Sequence, residues 1–194
     1  MNSTPILNHP HTGRVISALS LPSLIRLVSE IDDNGPISHR RGSLQSAFGD
    51  LTVNQLRYAI EVARELGLVH ADPQAPTRYR LTEAGEDLAG VYDVAARWAR
   101  THHSPSPTSG FVTRVQHTLK LLTQPSAAIR DADSAGKPTG LETGLPGAET
   151  DADMALIPDA AKAALTEWLQ TYPHILHSTA PRSSHAAQDL ECAA

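Results

Sequence analysis

Cysteine is almost absent: the chain of 194 residues has one, Cys192, two positions from its end. That scarcity excludes an internal disulfide framework and a cysteine-rich zinc site, leaving a tail thiol or an intermolecular bridge. No apolar run approaches the roughly 20 residues that cross a bilayer. The opening MNSTPILNHPHTG lacks the basic-then-apolar order of a signal peptide, so a soluble, cytoplasmic protein without membrane contact is expected. A glycine-rich phosphate loop, a Gly-x-Ser-x-Gly elbow and a carboxylate pair on a recognisable pocket wall are all missing, so neither enzyme activity nor a cofactor is expected. Histidine is not scarce, at ten residues. The clusters His9-x-His11, His102-His103 and His174-xx-His177 nevertheless fall in expected loops and tails, with no carboxylate or cysteine at ligand spacing, so no metal is expected. Aromatic residues make up 4% of the chain, and Trp98 and Trp168 lie on helical stripes, where core packing is a simpler role than lining an effector pocket.

Positive charge is also short overall, with a formal net of −5, but the deficit is uneven. Residues 1–124 hold 12 Lys and Arg against 11 Asp and Glu, a net of +1, whereas residues 125–194 hold 4 against 10, a net of −6. Within residues 36–82 there are six arginines, at 40, 41, 57, 64, 78 and 80, against four acids, a local net of +2. The acidity therefore belongs to the C-terminal third, and the basic centre suits a polyanionic partner.

That centre is organised around residues 51–81. Thr52 and Gln55 have the spacing of a capping box, and Leu51 with Leu56 that of a hydrophobic staple. Leu56, Ala59, Ile60, Ala63 and Leu66 then repeat at helical spacing, with Asn54, Arg57, Tyr58, Glu61, Arg64 and Glu65 on the other side, and Gly67 closes the helix. A strand over residues 68–71, a tip at residues 72–76 and a returning strand Arg78-Tyr79-Arg80-Leu81 follow. If Tyr79 and Leu81 point inward, alternation puts both arginines outside.

The pattern Thr52-xxx-Leu56-xxx-Ile60-xx-Ala63-xxx-Gly67-Leu68-Val69, followed by Pro76-Thr77-Arg78-Tyr79-Arg80-Leu81-Thr82-xx-Gly85, resembles the winged-helix transcriptional regulators of bacteria. The HxlR-like and PadR-like groups are the nearest in pattern, with the MarR family next, and the resemblance spans residues 20–100. It implies a mainly α fold with a small β-wing, in which the helix after Thr52 enters the major groove.

Before this centre, residues 1–19 show little pattern and are expected to be a flexible arm. Ser20 reads as the cap of a first domain helix carrying Leu21, Leu24, Leu27, Val28 and Ile31, ended by residues 32–36. A stub of strand at residues 36–38 and a short helix with Leu44, Ala47 and Phe48 inward lead to the Gly49-Asp50 turn. After the hairpin, Thr82 caps a helix with Glu83, Glu86 and Asp87 in its first turns, and Leu88, Val91, Tyr92, Ala95 and Trp98 form its buried stripe. A winged-helix domain over residues 20–101 results. Residues 109–124 add an amphipathic helix, either a dimerisation element or one more layer on its own domain. Residues 125–157, poor in large apolar side chains, are expected to be a disordered linker. Residues 158–172 return to helix, and residues 173–194 read as tail.

For reading bases, Asn54, Gln55, Arg57 and Tyr58 are the candidates, since Asn or Gln pairs with adenine and Arg with guanine. For phosphates, Arg40, Arg41, Ser43, Thr52, Arg78 and Arg80 are the candidates. The expected function is a sequence-specific regulator of transcription that binds double-stranded DNA as a homodimer, most simply a repressor, with a small-molecule effector compatible but marked by no residue. The alternative is a winged-helix protein-interaction module whose contact is the acidic tail and the Trp168 helix.

Overall fold

A computed structural model describes residues 11–38, 40–123 and 158–178. They form a mainly helical unit with a small antiparallel sheet. In order, the elements are α1 (Thr12–Leu19), α2 (Pro22–Asn34), β1 (Ile37–Ser38), α3 (Arg41–Ala47), α4 (Val53–Glu65), β2 (Val69–Ala71), β3 (Arg78–Leu81), α5 (Glu83–Thr101), α6 (Phe111–Thr123) and α7 (Asp159–Thr171). A short 3-10 helix (Pro173–His177) closes the described chain. Among the described residues no helix is long and apolar enough to cross a membrane.

Local chemistry sets most boundaries. Pro22 occupies the first turn of α2, where its missing N–H costs nothing, and Gly35 ends that helix at φ 76°, a backbone region that favours glycine. At α4 the Thr52 hydroxyl accepts from the Gln55 amide N–H, while the Gln55 side chain accepts from the Thr52 amide. Two of the orphan donors at the helix start are thereby satisfied. Thr82 caps α5 by accepting from the Gly85 amide N–H, and donates its own hydroxyl proton to the Gly67 carbonyl at 2.7 Å. One threonine thus fixes the end of α4 to the start of α5.

Helix α5 is the centre of packing. It lies against α2, α6, α7 and β3, and its Ala89, Ala95, Ala96 and Ala99 let neighbouring helices approach closely. Tyr92 is fully buried and satisfies its hydroxyl by donating to the Leu19 carbonyl at 2.8 Å. At Gly85 even a methyl group is too much: a Cβ there would stand 2.3 Å from the Leu68 carbonyl oxygen.

Several elements depart from the sequence reading. The expected flexible arm over residues 1–19 contains α1, with Thr12, Val15, Ile16 and Leu19 buried against the rest of the chain. These four share one helical face; of the elements packed on α1, α2 follows directly, but α6 and the 3-10 helix come about a hundred or more residues later. Ser20 does not cap α2; it ends α1 and donates its hydroxyl to the Ile16 carbonyl at 2.7 Å, leaving Leu21 as the N-cap of α2. The expected tail from residue 173 begins instead with the 3-10 helix, where Ile175 and Leu176 are buried.

Helix α6, offered as a dimerisation element, puts Val115 and Leu119 into its own core against α1, α2 and α5. Its Thr118 hydroxyl donates to Ala95 O and its Gln116 amide to Ser20 O, both at 3.1 Å. Helix α7 likewise docks on α5. The expected linker over residues 125–157 and the thiol of Cys192 lie outside the described residues.

Candidate nucleic-acid interface

The sheet has strand order β1-β3-β2, with both pairings antiparallel. Ile37 pairs with Tyr79, Val69 with Leu81 and Ala71 with Tyr79; Ile37, Val69 and Leu81 are buried, which marks this as the core face. The alternate residues form the outer face: Ser38 opposite Arg78, and His70 opposite Arg80. Both arginines are exposed, as alternation predicts. Neither forms an ion pair with another described residue. At the hairpin tip, Asp72 is buried and accepts the Gln74 amide N–H at 2.9 Å, while its own carbonyl accepts from Ala75. The carboxylate therefore braces the turn rather than presenting a negative charge at its apex.

On α4, Leu56, Ala59, Val62 and Ala63 are buried. Val62 takes the inward place expected of Ile60, which is half-buried. Asn54 and Arg57 stand exposed one turn apart on the outward side, followed by Glu61, Arg64 and Glu65. The other two base-reading candidates are differently placed. Gln55 is exposed, but its Oε1 accepts from both the Thr52 amide, at 2.9 Å, and the Thr52 hydroxyl, at 3.0 Å. Bidentate pairing with adenine needs that oxygen as well as the amide nitrogen, so the capping box and base reading compete for one group. Tyr58 is half-buried and packs against the core.

Among the phosphate candidates, Thr52 is the cap just described, and Arg40 is exposed at the N-cap of α3, its amide directed to Ser38 Oγ at 3.3 Å. The side chains of Arg41 and Ser43 lie outside the described ones.

A residue the sequence reading passed over positions this surface. Arg26 of α2 pairs with Glu30, reaches Asp50 with Nε at 3.6 Å and the Ala47 carbonyl with Nη2 at 3.4 Å, and lies 5.5 Å from the centre of the Phe48 ring. Apart from Glu30, one turn along its own helix, its contacts converge on the end of α3 and the turn before α4. The guanidinium therefore ties α2 to the segment that sets where α4 begins. Helical spacing does not single Arg26 out; the turn across from it does.

Beside Arg26 an open groove of about 430 Å³ is lined in part by Asp32, Asp33, Asp50 and Asp93. Partial burial, then the neighbouring Asp33, Asp93 and Glu86, raise the Asp32 carboxyl above its usual range. The groove is therefore acidic, with Arg26 as the one basic residue among the described residues that line it. Trp98 stacks on His102 with ring centres 4.5 Å apart, and Trp168 is in the core.

The chain matches no protein-family model, no curated protein and no solved structure. The functional reading therefore stands on the residues themselves.

Proposed function

We propose that the protein is a winged helix-turn-helix regulator that binds specific duplex DNA. The carrying observation is the order α2, β1, α3, α4, β2, β3 with β3 paired between β1 and β2. A short helix, a turn and a capped longer helix followed by a two-stranded hairpin are the parts of a helix-turn-helix with a wing. Helix α4 is then the recognition helix. Asn54 and Arg57 read base edges, Arg78, Arg80 and Arg40 hold phosphates, and Thr52 and Gln55 set the angle of the helix. Arg26 supports that angle from α2.

The reading extends to a homodimer on a palindromic operator, because one recognition helix covers only a few base pairs and a two-fold pair doubles the contact. Bound across a promoter, such a dimer represses by occlusion. The rival protein-interaction reading takes the acidic tail and the Trp168 helix as its contact; the indole of that helix is 3% exposed on its own domain, and the tail lies outside the described residues.

Selection of duplexes from a random library by the full chain, followed by salt titration, tests the proposal. It predicts a palindromic consensus and a log affinity that falls with log salt at a slope of about −0.9 per phosphate contact. No enrichment over the starting library would contradict it.

A further inference from the structure

The outer face of the sheet carries one residue for which the DNA reading has no use so far. His70 is exposed and stands directly opposite Arg80 in the β2–β3 ladder. Directly opposed residues of an antiparallel pair project from the same face, and Arg78 follows on that face two positions along. The ring has a defined orientation: its Nδ1 lies 2.8 Å from the Ala71 carbonyl oxygen. A carbonyl oxygen only accepts, so Nδ1 bears the proton. In the neutral ring Nε2 is then left with a lone pair, which repels a phosphate oxygen. Protonation turns Nε2 into a charged N–H donor, which attracts one.

We propose that His70 is a proton-dependent phosphate ligand, which joins Arg80 in holding the backbone of a nucleic-acid duplex only in its charged form. This rests on the DNA reading above and adds to it a site residue and a coupling to pH. The charged groups on the elements packed against β2 are Arg78 and Arg80 of β3 and Arg57, Glu61, Arg64 and Glu65 of α4, and Tyr79 and Tyr58 are the further titratable groups there. On its own strand's end stands Asp72, whose Oδ1 already accepts from the Gln74 amide. None of them forms an ion pair with the His70 ring among the described residues. A phosphate seated beside Arg80 favours the imidazolium by direct attraction, so binding takes up a proton at His70.

Phosphate contacts carry no base information, so a labelled mixed-sequence duplex is a sufficient probe. The experiment measures its affinity for the full chain at fixed low salt, at about pH 6 and about pH 8, for the wild type, His70→Gln and Arg80→Ala. The substitution at the exposed His70 keeps the fold, which circular dichroism checks, and leaves the other histidines in place. Wild type binds roughly three- to tenfold more tightly at the lower pH. His70→Gln keeps the affinity of the higher pH and loses most of that gain, and Arg80→Ala is weaker at both. A His70→Gln protein that keeps the full gain, a wild type with none, or an Arg80→Ala protein of unchanged affinity overturns the proposal while leaving DNA binding standing. Absence of binding at both pH values overturns the DNA reading and this site with it.

Discussion

The indole Nε1–H of Trp168 donates to the carbonyl oxygen of Ala84 at 2.9 Å, joining residues 84 positions apart. Around it the Tyr172 hydroxyl donates to Asp87 Oδ2 at 2.6 Å, and the Ser178 hydroxyl to the Glu65 carbonyl at 2.7 Å. The C-terminal helix is thus bonded to the start of α5 and, through the 3-10 helix that follows it, to the end of α4. Trp168→Phe removes one neutral hydrogen bond and should cost about 0.5–1.5 kcal/mol. Trp168→Ala also empties a core site and should cost about 3–5 kcal/mol. Urea unfolding of the full chain measures both; a loss below about 1 kcal/mol for the alanine variant would mean that α7 does not hold this position in solution.

Two glycines of α5 should respond in opposite directions. At Gly85 an added Cβ meets the Leu68 carbonyl oxygen at 2.3 Å and Leu81 Cδ2 at 3.1 Å, and the first is backbone that cannot swing aside. Gly85→Ala should therefore destabilise by more than about 2 kcal/mol, since the hairpin must shift away from the helix. Gly90 is exposed with nothing within 4 Å, so Gly90→Ala should stabilise by roughly 0.5–1 kcal/mol through helix propensity alone. Thermal unfolding of the pair gives both signs in one experiment.

The capping box makes a separate prediction for Gln55. Its Oε1 is held by Thr52, so Gln55→Ala should weaken DNA binding to a similar degree on every duplex and lower stability. Thr52→Ala should cost about 1 kcal/mol for the lost cap. Comparing affinities across single-base operator variants checks this: a Gln55→Ala loss confined to one adenine position would show that the side chain leaves the cap to read a base.

Asp32 carries a pH dependence whose sign follows from its cause. Partial burial, with Asp33, Asp93 and Glu86 nearby, raises its carboxyl above the ordinary 3.8. The folded state then favours the protonated form, so this contribution to stability is complete below 3.8 and is lost as pH rises through the raised value. Asp32→Asn should stabilise the protein at neutral pH by a fraction of a kcal/mol, the effect being small because the side chain is exposed and screened. The gain should vanish in acid. Denaturation midpoints of both proteins across that range measure it.

What could be read in the chain and what could not divide along a physical line. The hairpin was legible because Arg78-Tyr79-Arg80-Leu81 alternates and Gly67 and Pro76 punctuate it. The α4 cap was legible because Thr52 and Gln55 are three residues apart. Helix α1 was not: Val15, Ile16 and Leu19 make too short a stripe to register, and much of the surface packed on them comes from the distant α6 and the 3-10 helix. Ile175 and Leu176 went unnoticed for the same reason. For Gln55 the spacing shows both a cap partner and an outward-facing side chain, and only the geometry shows its Oε1 accepting from both the Thr52 amide and the Thr52 hydroxyl. His70 needed the register: only opposite Arg80 does a lone exposed histidine join a basic row.

The central claim is that α4 reads bases while the sheet's outer face holds phosphates. Affinities of Arg57→Ala and Arg80→Ala for an operator and its single-base variants test it most directly. The account predicts that Arg57→Ala loses about 1–3 kcal/mol of discrimination at one guanine and little elsewhere. Arg80→Ala should weaken binding to every duplex alike and lower the salt slope by about one. A uniform loss for Arg57→Ala, or a sequence-dependent loss for Arg80→Ala, would contradict the assignment.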